Sequence, residues 1–346
     1  MKKISLADVA GSLGVSKALV SMVLNNRGNE MGISAETQKR VIAKVKELNY
    51  RPNQFARGLR LGKSNTIGLI VADISNPFYS RIARNIEDNC SKHGYNLMIC
   101  SSDENEEKET SLMHMLLERQ VDGLIISTTQ STSKDVAFLK EDNFPFVLID
   151  RFFPNIDSNY VVIDNYQGAL AATEHLINMG YTRIAQMTIS PSHLSSLKER
   201  SRGYTDALKK HGIKVNKNLT SLIPFGDIKK NVYEDLKYLL SAPQNAQALF
   251  LANNNLTVAC LECINEMKLR IPHDIAIVSF DDIDLFRVFY PPITAVSQPI
   301  DEICQRSVEI LLNEINKVDV STDKIKEVMQ TKLVVRDSCG KFFRNL

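Results

Sequence analysis

Four short polar clusters hold the residues best suited to bind a small molecule: Asp73 to Tyr79 (DISNPFY), Asp150-Arg151, Asn253-Asn254 and Asp281-Asp282. Carboxylates and a guanidinium can bond pairs of hydroxyl groups while Phe78 or Tyr79 covers an apolar ring face, which is the chemistry of a sugar site. Taken singly, Asn76, Asp150 and Asp281 could equally cap helices at strand ends. A second chemistry lies near the N-terminus, where Lys17, Ala18, Ser21, Met22 and Asn25 share one helical face suited to base edges in a major groove. Catalysis has less to work with, since no activated nucleophile and no G-x-G-x-x-G after a strand is found. GLRLGKS at 58–64 is no phosphate loop: it has one residue too few between its glycines and precedes its strand. Cys260-x-x-Cys263 has metal spacing but lies in an apolar helical pattern without a second pair. The other cysteines are scattered, as expected of reduced thiols, and the six histidines show no ligand spacing. No metal and no cofactor is expected.

The elements that must position these residues follow from periodicity. Leu6/Val9/Ala10/Leu13 and Leu19/Val20/Val23/Leu24 are two short helical patterns broken at Gly14-Val15. Ser5 and Asp8 fit a capping box, Ser16 can cap the second helix, Ala10 allows a close crossing and Gly14 tolerates positive φ. That is a helix-turn-helix. Ser34 caps a third helix, Ala35 to Leu48, with Val41, Ile42, Val45 and Leu48 as its buried stripe. Arg51-Pro52 ends it, and NQFARGLR at 53–60 is too short to be a stable helix without a partner.

From Thr66 apolar runs alternate with amphipathic helices. Ile67–Val71, Leu97–Cys100, Gly123–Ile126 and Phe146–Ile149 form one strand series, and Ile184–Thr188, Leu222–Pro224, Ala248–Leu251 and Ala276–Phe280 a second. Alternation of this kind implies parallel sheets covered by helices on both faces, hence two doubly wound α/β subdomains with a cleft at their carboxyl edges. The polar clusters fall at those edges.

At 346 residues the chain needs two to three domains. Its net charge of +2 divides unevenly. Residues 1–65 hold 12 Lys+Arg against 4 Asp+Glu, or +8, which leaves −6 for the rest. A basic head on an acidic body suits a head that alone faces a polyanion. No apolar h-region follows Met1-Lys2-Lys3 and no run reaches the length of a membrane span, so a cytoplasmic chain without a membrane partner is expected. An exported sugar-binding protein would share the two-lobed body but should carry an export signal and no basic head.

In this order, SLADVAGSLGVSKALVSMVLN, VKELNYRPNQFARGLRLGKSNTIGLIVADISNPFY, VDGLII, IDR, VIDN, EHLINMGYTRIA, ERSRGYTDAL, IPHDIAIVSFDD, PPITAVSQP and LVVRDSCG resemble the LacI/GalR family of transcriptional regulators over nearly the whole length. The resemblance implies an all-α helix-turn-helix domain at 1–50, a hinge at 51–63 and a periplasmic-binding-protein-like effector and dimerisation domain at 64–346. Within the last, the first subdomain takes about 64–162 and 297–322 and the second about 163–296 and 323–340. It further implies a homodimer on palindromic operator DNA, in most members a repressor, with a small effector such as a sugar in the cleft. DNA contacts are implied for Ser5, Ser16, Lys17, Ala18, Ser21, Met22 and Asn25, and in the hinge for Asn53, Arg57, Leu59 and Arg60. Effector contacts are implied for Asn76, Phe78, Tyr79, Asp150, Arg151, Arg200, Asn253, Asp281 and Gln298. Leu19, Met22, Gly58 and Asn254 depart from the family's usual residues.

Overall fold

The computed structural model describes residues 4–50, 63–190, 193–317 and 323–340. Asn53, Arg57, Leu59 and Arg60 of the expected hinge lie outside the described residues. Contacts divide the chain into two units, Met1–Ser64 and Asn65–Leu346.

The first unit contains α1 (Leu6–Leu13), α2 (Lys17–Leu24) and α3 (Ala35–Glu47). Ser5 Oγ accepts from the Asp8 amide while Asp8 Oδ2 accepts from the Ser5 amide at 2.8 Å, so two free N–H groups of α1 are satisfied reciprocally. Gly14 ends α1 at φ 66°, a left-handed conformation that glycine adopts without a Cβ penalty. The chain turns through 108° between α1 and α2. Val9, Ala10, Val20, Val23 and Val41 form the small core, ringed by half-buried Leu6, Leu13, Val15, Leu19, Val45 and Leu48. Ile42 departs from the expected stripe, being 46% exposed. One position is 100° of helix, and Val41 already fills the space facing α1 and α2.

The second unit is two six-stranded sheets. In the first, β11 (Lys326–Met329), β5 (Tyr160–Ile163), β4 (Phe146–Ile149), β3 (Gly123–Ile126), β1 (Thr66–Val71) and β2 (Asn96–Ser101) lie side by side in that order, all parallel. In the second the order is β12 (Lys332–Val334), β10 (Thr294–Ser297), β9 (Ala276–Phe280), β8 (Ala248–Leu251), β6 (Ile184–Ser190) and β7 (Thr220–Pro224). Only β12 runs antiparallel there. Helices α4 (Pro77–Lys92), α5 (Glu106–Glu118) and α6 (Lys134–Glu141) belong to the first lobe. The second holds α7 (Asn165–Asn178), α8 (Ser195–Lys210), α9 (Ile228–Leu240), α10 (Asn254–Glu266) and α11 (Asp284–Val288). Helix α12 (Ile300–Asn316) returns to pack on β3, β4 and α4 of the first.

The last return to the second lobe comes later than the sequence suggests. Lys326–Met329, expected in the second subdomain, is the edge strand of the first sheet, paired to β5 through backbone hydrogen bonds. Its alternating, half-exposed, charged sequence is that of an edge strand, which carries little apolar signal. Helix α8 starts at Ser195, so Arg200 lies inside it. Its cap residue, Leu194, makes no side-chain cap bond, and so gives no signal of a helix start.

Candidate functional site

In the first unit, Lys17 and Ala18 are exposed on α2, and Ser21, Met22 and Asn25 are half-buried beside them. Ser16 Oγ accepts from the Leu19 amide at 3.1 Å, capping α2. Asn25 turns its amide back, donating to the Ser21 carbonyl at 2.7 Å.

In the second unit a cleft opens between the lobes at the carboxyl ends of the strands, with about 490 Å³ of empty space, part of it open to solvent. Asn76, Phe78, Tyr79, Asp150, Arg151, Arg200, Asn253 and Asp281 all line it. Gln298 does not; it stands behind Asp281 and donates to its Oδ1 at 2.6 Å.

Asp150 follows β4 and Asp281 follows β9, at corresponding places in the two lobes, and both have left-handed backbones, φ 62° and 67°. Aspartate tolerates this conformation better than most residues, and it turns each carboxylate off the strand end. Asp150 Oδ2 accepts from the buried Tyr79 hydroxyl at 2.8 Å and from Ser127 Oγ at 3.3 Å. Burial raises the Tyr79 pKa well above its ordinary value, and the Asp150 and Glu104 charges raise it further against the opposing effect of Arg151. The phenol therefore stays a donor. Asp281 is also pushed up by burial, with Arg200 and Gln298 opposing the shift.

Arg200 is held at three points. Its Nε donates to Asn165 Oδ1 at 2.7 Å, Nη1 donates to the Ala252 carbonyl at 2.7 Å, and Asp281 Oδ2 lies 3.5 Å from Nη1. The guanidinium also rests 3.7 Å above the Phe280 ring. Arg151 donates through both terminal nitrogens to Glu104, at 2.6 and 2.8 Å, and to the Thr128 carbonyl at 3.1 Å. Burial works against its charge, but Glu104, hydrogen-bonded to it, and Asp150 beside it outweigh burial and keep the guanidinium protonated.

Among the described residues, hydrogen bonds that cross between the lobes include Asn254 Nδ2 to Asn76 Oδ1 at 2.7 Å, the Phe152 amide to Ser195 Oγ at 3.1 Å, and His193 Nε2 to the Thr129 carbonyl at 3.1 Å. Asn76 and Asn253 serve both readings of the sequence, since they line the cleft and also cap α4 and α10. Asp282 is bound bidentately to Arg336, at 2.7 and 2.8 Å, and does not line the cleft. Sequence reasoning missed Glu104, Asn165, Ser196, Phe225 and Asn255. Only Asn165 had a visible signal, following a helix-capping aspartate at the end of VIDN. Both cysteines of Cys260-x-x-Cys263 are buried, and burial raises their thiol pKa values. Among the described residues no cluster of metal-ligating side chains occurs, and no single helix is long and apolar enough to cross a membrane.

Residues 5–53 match the family described as bacterial regulatory proteins, lacI family, and residues 173–339 match a periplasmic binding protein-like domain. The ribose operon repressor of Escherichia coli (strain K12) is 30% identical over 324 residues, covering 93% of this chain and 96% of the relative. The chain belongs to the LacI family. Among solved structures, a Lac repressor dimer bound to operator and the anti-inducer ONPF is similar with a TM-score of 0.84 at 25% identity, covering 98% of this chain and 99% of that one. A complex of the transcriptional regulator CelR with cellobiose gives 0.71 at 27% identity, covering 97% and 99%. As a LacI-family member the protein is a DNA-binding transcriptional regulator, with the family's helix-turn-helix head and two-lobed body.

Proposed function

We propose that this regulator is a repressor whose operator affinity is set by a sugar bound between the lobes, and that it acts as a homodimer on a pseudo-palindromic operator. The observation that carries this reading is the pairing of Asp150 and Asp281, one from each lobe, with Arg200 beside the second. Carboxylates that accept and a guanidinium that donates suit vicinal hydroxyl groups, while Phe78 supplies an apolar face. The names of similar proteins support a sugar, cellobiose for CelR and ribose for the operon repressor. In this reading Ser5, Ser16, Lys17, Ala18, Ser21, Met22 and Asn25 meet the DNA, and the body regulates without catalysing a reaction.

A ligand that touches both lobes favours their closed arrangement, and it can shift that equilibrium only by its difference in affinity for the two states. Linkage then requires operator DNA to change effector affinity by the factor that effector changes operator affinity. The test is a thermal-shift screen of sugars, followed by operator binding with and without the hit. Arg200→Ala should abolish the response while operator binding itself persists. Effector affinity that is identical with and without operator, or a response retained by Arg200→Ala, would exclude this cleft as the controlling site.

A further inference from the structure

We propose that Glu104 makes the cleft select an uncharged polyhydroxyl effector over its phosphorylated or carboxylated counterpart. This rests on the cleft being the effector site. Four carboxylates line it, Asp73, Glu104, Asp150 and Asp281, against two guanidiniums, Arg151 and Arg200. Arg151 is the group an anion would seek in the first lobe, yet Glu104 already holds it through a two-point pair in which both side chains are 8% exposed. Glu104 reaches it from a turn in which Asp103 and Glu104 both have φ 52°, a backbone fixed in the left-handed region at two successive residues.

Helix ends pull the other way, because a first turn carries a positive partial charge. Those of α4 and α10 are already occupied by the side chains of Asn76 and Asn253, each accepting from an amide at 2.9 Å. In the second lobe Arg200 has Nε and Nη1 committed to Asn165 and the Ala252 carbonyl. Along the cleft the carboxylates outnumber the guanidiniums, four to two. Ionised carboxylates only accept hydrogen bonds, so the ligand must donate them, which hydroxyl groups do and a phosphate dianion or carboxylate cannot.

The experiment is calorimetric titration of the full-length protein with neutral pentoses, hexoses and disaccharides, each beside its terminal phosphate and its uronic acid. A neutral sugar should bind, and its anionic counterparts should bind at least about tenfold more weakly, since like charges in contact are costly at a desolvated site. Glu104→Gln keeps the volume, removes one negative charge and loosens the hold on Arg151, so the gap should narrow through gained affinity for the anion. Asp73→Asn should narrow it too, without touching the buried pair, and keeps the test open if Glu104→Gln does not fold. Equal or tighter binding of a phosphate or uronate by the wild type overturns the proposal, as does a gap unchanged in both variants. If no member of the panel binds, or if Arg200→Ala binds the neutral sugar unaltered, the sugar-site reading itself falls.

Discussion

Asn254 donates from Nδ2 to Asn76 Oδ1 at 2.7 Å and thereby ties the first turn of α10 in one lobe to the cap of α4 in the other. The direction is fixed by a third group, because the same Asn76 oxygen accepts from the Phe78 amide at 2.9 Å and so must be the acceptor toward Asn254. Asn254 is fully buried, and among the described residues no group donates to its own Oδ1. Asn254→Ala should therefore weaken lobe closure by about 1 to 3 kcal/mol, the usual effect of removing one partner of a buried hydrogen bond. Small-angle scattering of the ligand-free protein would register the opening as a larger radius of gyration. A radius equal to the wild type's would show that the other cross-lobe contacts suffice.

Gly203 determines how closely α7 and α8 approach. A Cβ there would stand 2.4 Å from the Tyr166 carbonyl oxygen and 2.9 Å from the Leu170 nitrogen, both backbone atoms that cannot step aside. Gly203→Ala should therefore destabilise the protein by about 1 to 3 kcal/mol or more, despite alanine's better helix propensity. Arg200 lies one turn earlier on α8 and reaches Asn165 on α7, so the same change should weaken effector binding. Thermal unfolding and ligand titration of one preparation would test both, and an unchanged melting temperature would contradict the close approach.

Glu109 makes stability depend on pH in a direction opposite to most carboxylates. It is buried on α5, and desolvation raises its pKa above the ordinary 4.5, although bonds from Thr129 and Thr128 oppose the shift. Because the folded pKa exceeds the unfolded one, the native state binds the proton more tightly. The contribution is fully present below the unfolded pKa and is lost as pH rises through the raised folded value. The wild type should thus lose stability relative to Glu109→Gln as pH rises from about the unfolded glutamate pKa, and the difference should level off above the folded value. Parallel melting curves across that range test the sign.

Much of this architecture is legible in the sequence because its signals are local. Ser5 and Asp8 announce a helix start three residues apart, and the apolar runs of β1, β3 and β4 are buried on both faces. The strand-end aspartates are visible for the same reason. What escapes is held by contacts between residues distant in sequence. Glu104 has no pattern of its own and becomes significant only when the fold brings it to Arg151, 47 residues later. Lys326–Met329 becomes a strand through pairing to β5, and Gln298 lies near the cleft but behind Asp281, a distinction that requires coordinates.

Ser16 has two roles that substitutions can separate. Its hydroxyl caps α2 through the Leu19 amide at 3.1 Å, and its position at the start of that helix places it among the residues proposed to meet DNA. Ser16→Ala removes the cap and should cost the head about 0.5 to 2 kcal/mol. Its core is small enough, five buried residues, for that to raise the exchange rate of the α1 and α2 amides. Ser16→Asp restores an equally good cap and adds a charge favoured by the helix N-terminus, so amide protection should return to wild-type levels. The same carboxylate would face phosphate oxygens in an operator complex, and operator affinity should fall in the aspartate variant although its head is intact. Hydrogen exchange and operator titration on all three proteins separate the two roles. If Ser16→Asp bound operator as tightly as the wild type, Ser16 would be a cap alone.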